Sequence, residues 1–211
     1  MTIISNESEL SDGIYGQNAT YSTARSTSTA IDTVSFVIGQ RRQSTTNYYC
    51  YRGFLRFDTS LIPDNATITK VNLTMAASID NSTNDFDLMI QEQDWSPQYP
   101  IAAGTREAAY DGCLAEADSF LWRSTSGISV DTVYTSNDLT PEYVSKTGYT
   151  YYSLISSRDI SASAPGASVT EYLIIYKHDA ATKSYRPTLV VEYTVPSAGV
   201  PVTMISEFGM I

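Results

Sequence analysis

The chain predicts an all-β fold, a jelly-roll-type antiparallel β-sandwich, and three observations predict it. Apolar and polar residues alternate in short blocks, turn-forming residues separate those blocks, and Ser plus Thr supply about a quarter of the 211 residues alongside 16 tyrosines. Period two sends one set of side chains to each face of a sheet. β-branched hydroxyls and aromatics suit a pleated strand better than a long helix.

In chain order, Val34, Phe36 and Ile38 alternate with Thr33, Ser35 and Val37. Leu55 and Phe57 alternate with Phe54, Arg56 and Asp58, and Val71, Leu73 and Met75 with Lys70, Asn72 and Thr74. Later blocks cover residues 86–90, 151–155, 172–176 and 189–193. Asp12-Gly13, Ile62-Pro63-Asp64-Asn65, Asp80-Asn81-Ser82, Ser96-Pro97 and Ala164-Pro165-Gly166 supply turn chemistry between them. Many short strands with regular turns read as a sandwich or barrel. Residues 104–147 form a long, strand-poor excursion from the same domain. It holds two short helical candidates: one over 105–117, and one after Asp138, which would cap Thr140-Pro141-Glu142-Tyr143.

One domain is expected over 1–194, followed by an apolar tail over 195–211 whose single charge is Glu207. Apolar area gains roughly 25 cal/mol per Å2 on leaving water. Val200, Val202, Met204, Ile205 and Phe208 are therefore expected to bury against a neighbouring subunit, with packing on the chain's own sandwich as the competing reading.

Charge narrows the partners. The net charge is −10, and the densest basic spot is the pair Arg41-Arg42. A nucleic-acid binder needs clustered cations to displace phosphate counterions, so that class is excluded. A negative field also repels anionic membranes, and no apolar run approaches the roughly 18 residues of a membrane span. Met1 to Leu10 lacks the basic start and apolar stretch of a signal peptide.

Catalytic sets are sparse. The one histidine, His178, is expected in an exposed loop, and no G-x-S-x-G elbow is present. Glu92 and Asp94, beside Trp95, are the best carboxylate pair, but among 23 acidic residues such a pair carries little signal. The reading is a non-enzyme. Asp80, Asp85 and Asp87, with Asn81 and Asn84, are candidate Ca2+ ligands in an inter-strand turn, without the order or closing Glu of an EF-hand. Trp95, Tyr99, Trp122 and the Tyr48-Tyr49-Tyr51 cluster are candidate aromatic platforms for a glycan, core packing being the competing role for both tryptophans. Cys50 and Cys113 match no zinc spacing and are read as buried thiols or one bridge.

The block from Arg52-Gly53-Phe54-Leu55-Arg56-Phe57-Asp58 through Ala66-Thr67-Ile68-Thr69-Lys70-Val71-Asn72-Leu73-Thr74-Met75 resembles the DNRLRE-type domain, whose hallmark is an L-R-F-D strand, a turn, then G-A-T-I-T-x-A-x-L-x-L. Asn65 stands where that family has Gly, and Val71 where it often has Ala. Tyr185-Arg186-Pro187-Thr188-Leu189-Val190-Val191-Glu192-Tyr193 resembles its closing strand, and the resemblance spans Asp12 to Tyr193. It implies a jelly-roll sandwich of the kind found as non-catalytic modules on extracellular proteins, some of them carbohydrate-binding. Residues 122–128 and 146–154 look like phage versions. The expected function is a structural virion surface protein, a capsid decoration or tail-associated subunit. Its partners would be other copies of itself and a capsid or tail protein. The alternative is a carbohydrate-binding module of a surface or secreted, extracellular protein; a virion module that also binds host glycans would combine the two. Arg56 is the arginine expected to meet a buried carboxylate.

Overall fold

The structure is a computed structural model that describes residues 1–196; the expected assembly residues Val200, Val202, Met204, Ile205 and Phe208 lie outside them. Eleven strands form one hydrogen-bonded system, and every pairing is antiparallel. They are β1 (Thr2–Asn18), β2 (Ala30–Asp32), β3 (Phe36–Gln43), β4 (Asn47–Asp58), β5 (Thr67–Ser82), β6 (Asp87–Gln91), β7 (Ser119–Ser124), β8 (Val133–Thr135), β9 (Tyr149–Ser156), β10 (Thr170–Ile175) and β11 (Thr188–Thr194). The all-β, sandwich-like class expected from the alternation is what the chain adopts.

Two long strands each serve two neighbours. β1 pairs with β11 over Thr2 to Glu7, then with β4 from Ser8 to Asn18, and a bulge between Ser8 and Leu10 marks the change. An extra residue bends a strand and raises its twist, which is how a strand turns from one sheet into another. β5 likewise pairs with β11 over its first half and β10 over its second. With β10 on β3 and β3 on β4, six strands close a circuit. β9, β6 and β7 extend the sheet beyond β4.

The alternating blocks fill the inter-sheet core. Phe36, Ile38, Leu55, Phe57, Val71, Leu73, Met75, Leu173, Leu189 and Val191 are all buried in one cluster. Val34 departs from its block: it precedes β3 and is exposed. A second apolar cluster holds Ile14, Cys50, Phe54, Trp95, Tyr110, Cys113 and Ile155. It draws on β1, β4 and β9, on α1 (Tyr21–Ser26), on α2 (Arg106–Ala115) and on the turn at Trp95. Phe54 and Leu55 are therefore both wholly buried, because the even and odd positions of β4 face different cores.

The excursion is less strand-poor than its sequence suggests. It contributes β7 and β8, which pair with β6 and β5. The expected first helix is α2. The second reduces to a single 3-10 turn at Pro141–Tyr143, and its cap position is Thr140, not Asp138. Asp138 instead accepts from the Asn72 side-chain amide at 2.9 Å.

A buried ionic knot ties the helices to the sheet. Arg52, wholly buried in β4, donates from Nε to Asp159 Oδ2 at 2.9 Å, from Nη1 to the Tyr110 carbonyl at 2.6 Å and from Nη2 to the Arg25 carbonyl at 2.8 Å. Asp159, in α3 (Ser157–Ile160), also accepts from Arg25 Nε at 2.9 Å. Beside it, buried Glu171 accepts from Gln40 Nε2 at 2.6 Å, Asn84 Nδ2 at 2.8 Å and Arg158 Nε at 2.9 Å. The arginine expected in this role was Arg56. It pairs instead with half-exposed Glu9 at 2.9 Å, because Arg52, four residues earlier on the same strand face, is the one roofed by the helices.

Candidate functional site

The tyrosines of β4 alternate onto a patch that the helices leave open. Tyr15 of β1 lies opposite Tyr51, Gly39 lies opposite Tyr51 on the other side, and Tyr172 of β10 lies opposite Gly39. Gly39 has φ +129°, and a Cβ there would sit 2.7 Å from the Tyr172 Cα. With no side chain between them, the Tyr51 and Tyr172 rings approach to 6.0 Å. Tyr49 stacks on Tyr51 at 6.0 Å with planes 8° apart, and Tyr15 lies 6.1 and 5.8 Å from these two rings.

Arg41, facing Tyr49 across the β3–β4 pair, lays its guanidinium 4.4 Å from the centre of the Tyr49 ring and 5.9 Å from that of Tyr51. Next to it Arg42 lies 4.8 Å over Tyr48. Neither arginine has an ion pair among the described residues. The strip is thus four tyrosines and an uncompensated, ring-held cation on a chain of net charge −10. Cation–π contact is worth about 0.5–1 kcal/mol at an exposed site, enough to hold the guanidinium in place while leaving donors to offer. Tyr51 is the buried anchor of the patch, its phenol pushed upward by burial, while Tyr15, Tyr49 and Tyr172 are half-buried.

The other expected platforms fare differently. Trp95 is fully buried, with Phe54 and Tyr151 edge-on to its indole and its Nε1 donating to the Tyr152 carbonyl at 3.1 Å. Trp122 is 2% exposed and donates to the Tyr134 carbonyl at 3.2 Å. Neither can stack on a sugar, because each ring is spent on packing and each N–H is already bonded. Tyr99 is 40% exposed, but the Arg56 guanidinium covers it at 4.0 Å while also lying 4.3 Å over Tyr149.

The Ca2+ reading fails on geometry. Asp80 Oδ1 accepts from the amide and hydroxyl of Ser82, Asp85 Oδ1 accepts from Thr125 Oγ1, and the Asp87 backbone is tied to Ser157. Among the described residues no three His, Cys, Asp or Glu side chains converge for a metal, those of Asp80, Asp85 and Asp87 included. The acidic turn is held by Ser82 within it and by Thr125 and Ser157 from other segments.

His178 is half-buried, not exposed: its ring Nδ1 lies 2.9 Å from Ser11 Oγ and its backbone N–H donates to the same oxygen at 2.9 Å. Ser11 is wholly buried, so the pair fastens the loop after β10 to β1. Cys50 and Cys113 are free thiols in the second core. Glu92 is buried and accepts from the Thr140 amide at 2.8 Å, and burial raises its carboxyl above the ordinary glutamate range.

The Tyr15–Tyr172 grouping and the Arg41 stack were only half legible in sequence: Tyr48-Tyr49-Tyr51 was visible as a cluster, its partners across three strands were not. No protein-family profile matches the chain, and no curated protein sequence matches it.

Proposed function

We propose that this chain is a non-catalytic structural module of a virion surface, acting through protein–protein contacts made by the face of Tyr15, Tyr49, Tyr51, Tyr172 and Arg41. The observation that carries the reading is Arg41 held over Tyr49 at 4.4 Å. Tyrosine and arginine are the residue types enriched at the energetic centres of interfaces, where rigid rings supply area at low entropic cost. The virion setting rests on the resemblance of the Arg52–Met75 and Tyr185–Tyr193 blocks to the DNRLRE-type domain and of residues 122–128 and 146–154 to phage versions.

The alternative is glycan binding by the same face. The near-parallel Tyr49 and Tyr51 rings favour it, since flat aromatic area with polar rims suits a pyranose. Trp95 and Trp122 contribute to neither reading, being buried.

The test is the double variant Tyr49→Ala, Arg41→Ala, produced folded and added to particles lacking the protein. On the protein-contact reading, particle occupancy seen by electron microscopy falls while a glycan array stays blank for both proteins. Loss of glycan-array signal with normal occupancy favours the alternative. A folded variant unchanged in both assays removes the face from function.

A further inference from the structure

The open tyrosine face is short of acid. Cross-strand neighbours in an antiparallel sheet share a face. The row through Tyr49 runs Gln17, Tyr49, Arg41 and Thr170, and the row through Tyr51 adds Tyr15, Tyr172 and Asn81. Neither row carries a carboxylate, although the chain has 23 acidic residues and a net charge of −10. Together they carry one cation. Arg42, the next residue, points to the other side of β3, where it lies over Tyr48 and donates to the Thr45 carbonyl at 3.1 Å.

The way Arg41 is held leaves its outer end unused. Its guanidinium lies 4.4 Å from the centre of the Tyr49 ring, and its Nε is shut away from solvent with no hydrogen-bond partner. The two Nη atoms have no ion-pair partner among the described residues, and unlike Nε they are not shut away. A guanidinium so placed has lost water on one side and offers donors on the other. Those donors match the two oxygens of a carboxylate as a fork, and a charge-assisted pair is roughly twice as strong as a neutral hydrogen bond.

We propose that this face receives a single acidic side chain, Asp or Glu, of a partner protein, its carboxylate seated on the Nη atoms of Arg41. The proposal rests on the reading of the face as a protein contact surface. One cation serves one carboxylate, so a polyanion, which needs a run of cations, does not fit. An acidic sugar fits less well than a side chain, because its ring needs a bare aromatic face and the guanidinium already covers that of Tyr49. Tyr15 and Tyr172 flank Tyr51 at 5.8 and 6.0 Å and supply the rim that keeps water from the pair.

The experiment titrates the 15N-labelled protein with the peptide Ac-Gly-Glu-Gly-amide, its Gln counterpart, 3′-sialyllactose and sodium phosphate. It follows the Arg41 Nε–H resonance, assigned by its loss in Arg41→Lys, and the Gly39 backbone amide. The expected result is a saturable shift at both with the Glu peptide, none with the Gln peptide, and affinity that falls with added NaCl. Arg41→Lys, which keeps the charge and loses the fork, should weaken the Gly39 response at least threefold, and Arg41→Gln should remove it, with spectra otherwise unchanged. No saturable shift with the Glu peptide, or equal binding of the Gln peptide, overturns the proposal. Tighter binding of sialyllactose overturns it by moving the carboxylate to a sugar, and tighter binding of phosphate by making the site one for anions at large. Particle occupancy separates this proposal from the reading beneath it. A half-filling concentration at least tenfold higher for Arg41→Glu than for Arg41→Gln supports the carboxylate. If both fill particles as the parent does while folded Tyr49→Ala does not, the face stands and the carboxylate falls. If none of the three lowers occupancy, the face falls and the proposal with it.

Discussion

Arg52 and Arg41 lie on adjacent antiparallel strands, each with its guanidinium over a tyrosine ring, and they have opposite fates. Arg52 sits 3.8 Å over Tyr110, wholly buried, with donors fixed by Asp159 and two carbonyls. Arg41 sits 4.4 Å over Tyr49, half-exposed, with no carboxylate partner among the described residues. The same pair of residue types is a structural knot on the roofed face and a free contact element on the open one. What decides between them is whether a counter-charge was buried along with the cation.

The sharpest way to break this contrast is Asp159→Ala. It leaves Arg52 charged and unpaired in the interior, so about 3–5 kcal/mol of stability should be lost, read from urea unfolding. A loss under 1 kcal/mol would mean that Arg52 reaches water in the native state. Trp95→Ala should cost a similar 3–5 kcal/mol by opening a cavity and freeing the Tyr152 carbonyl. On the open face, Arg41→Ala should change stability by no more than about 1 kcal/mol, the cation–π contribution, by the same measurement.

Reactivity sharpens the contrast further. Burial pushes the Cys113 thiol up to about 12 and the Cys50 thiol well above its ordinary value. Neither should react with iodoacetamide in the native protein at pH 8, and both should react in urea. The smallest effect concerns Glu92. Its carboxyl is held above the ordinary range chiefly by burial, so the native state keeps this proton to higher pH than the unfolded chain does. Stability from this group is lost as pH rises from the unfolded glutamate value through the raised folded one. Glu92→Gln should therefore gain stability relative to the parent at pH 7 compared with pH 4.

Strands and cores were legible wherever burial is one-sided. Val71, Leu73 and Met75 line one core, and their alternation announced it. β4 was harder: period two sets Phe54 opposite Leu55 and Phe57, on the side meant for solvent, and only the helices that cover that side make it a second core. Arg52 and Arg56 share that side of β4, and only the helical cover, which the alternation does not announce, distinguishes them. α1 is only six residues long and has no capping side chain, so no local signal marks it. The Asp80 to Asp87 turn shows the converse limit: composition suggested a cation, while Asp80 and Asp85 each bond a hydroxyl, of Ser82 and of Thr125, and among the described residues no three acids converge. Trp95 could be weighed but not placed, since the carbonyl that takes its N–H, that of Tyr152, comes from a distant strand, whereas Trp122 bonds Tyr134 within its own excursion.

The circuit that β1 completes has a consequence for how the protein is made. The first six paired residues of β1 find their partners in β11, more than 180 residues along the chain. During synthesis that half of β1 must wait, its amides and carbonyls unpaired, until the last strand leaves the ribosome. Such distant closure makes for slow maturation and a long interval with an exposed, sticky edge. Joining the two neighbouring strands by a short linker and opening the chain elsewhere would shorten that wait.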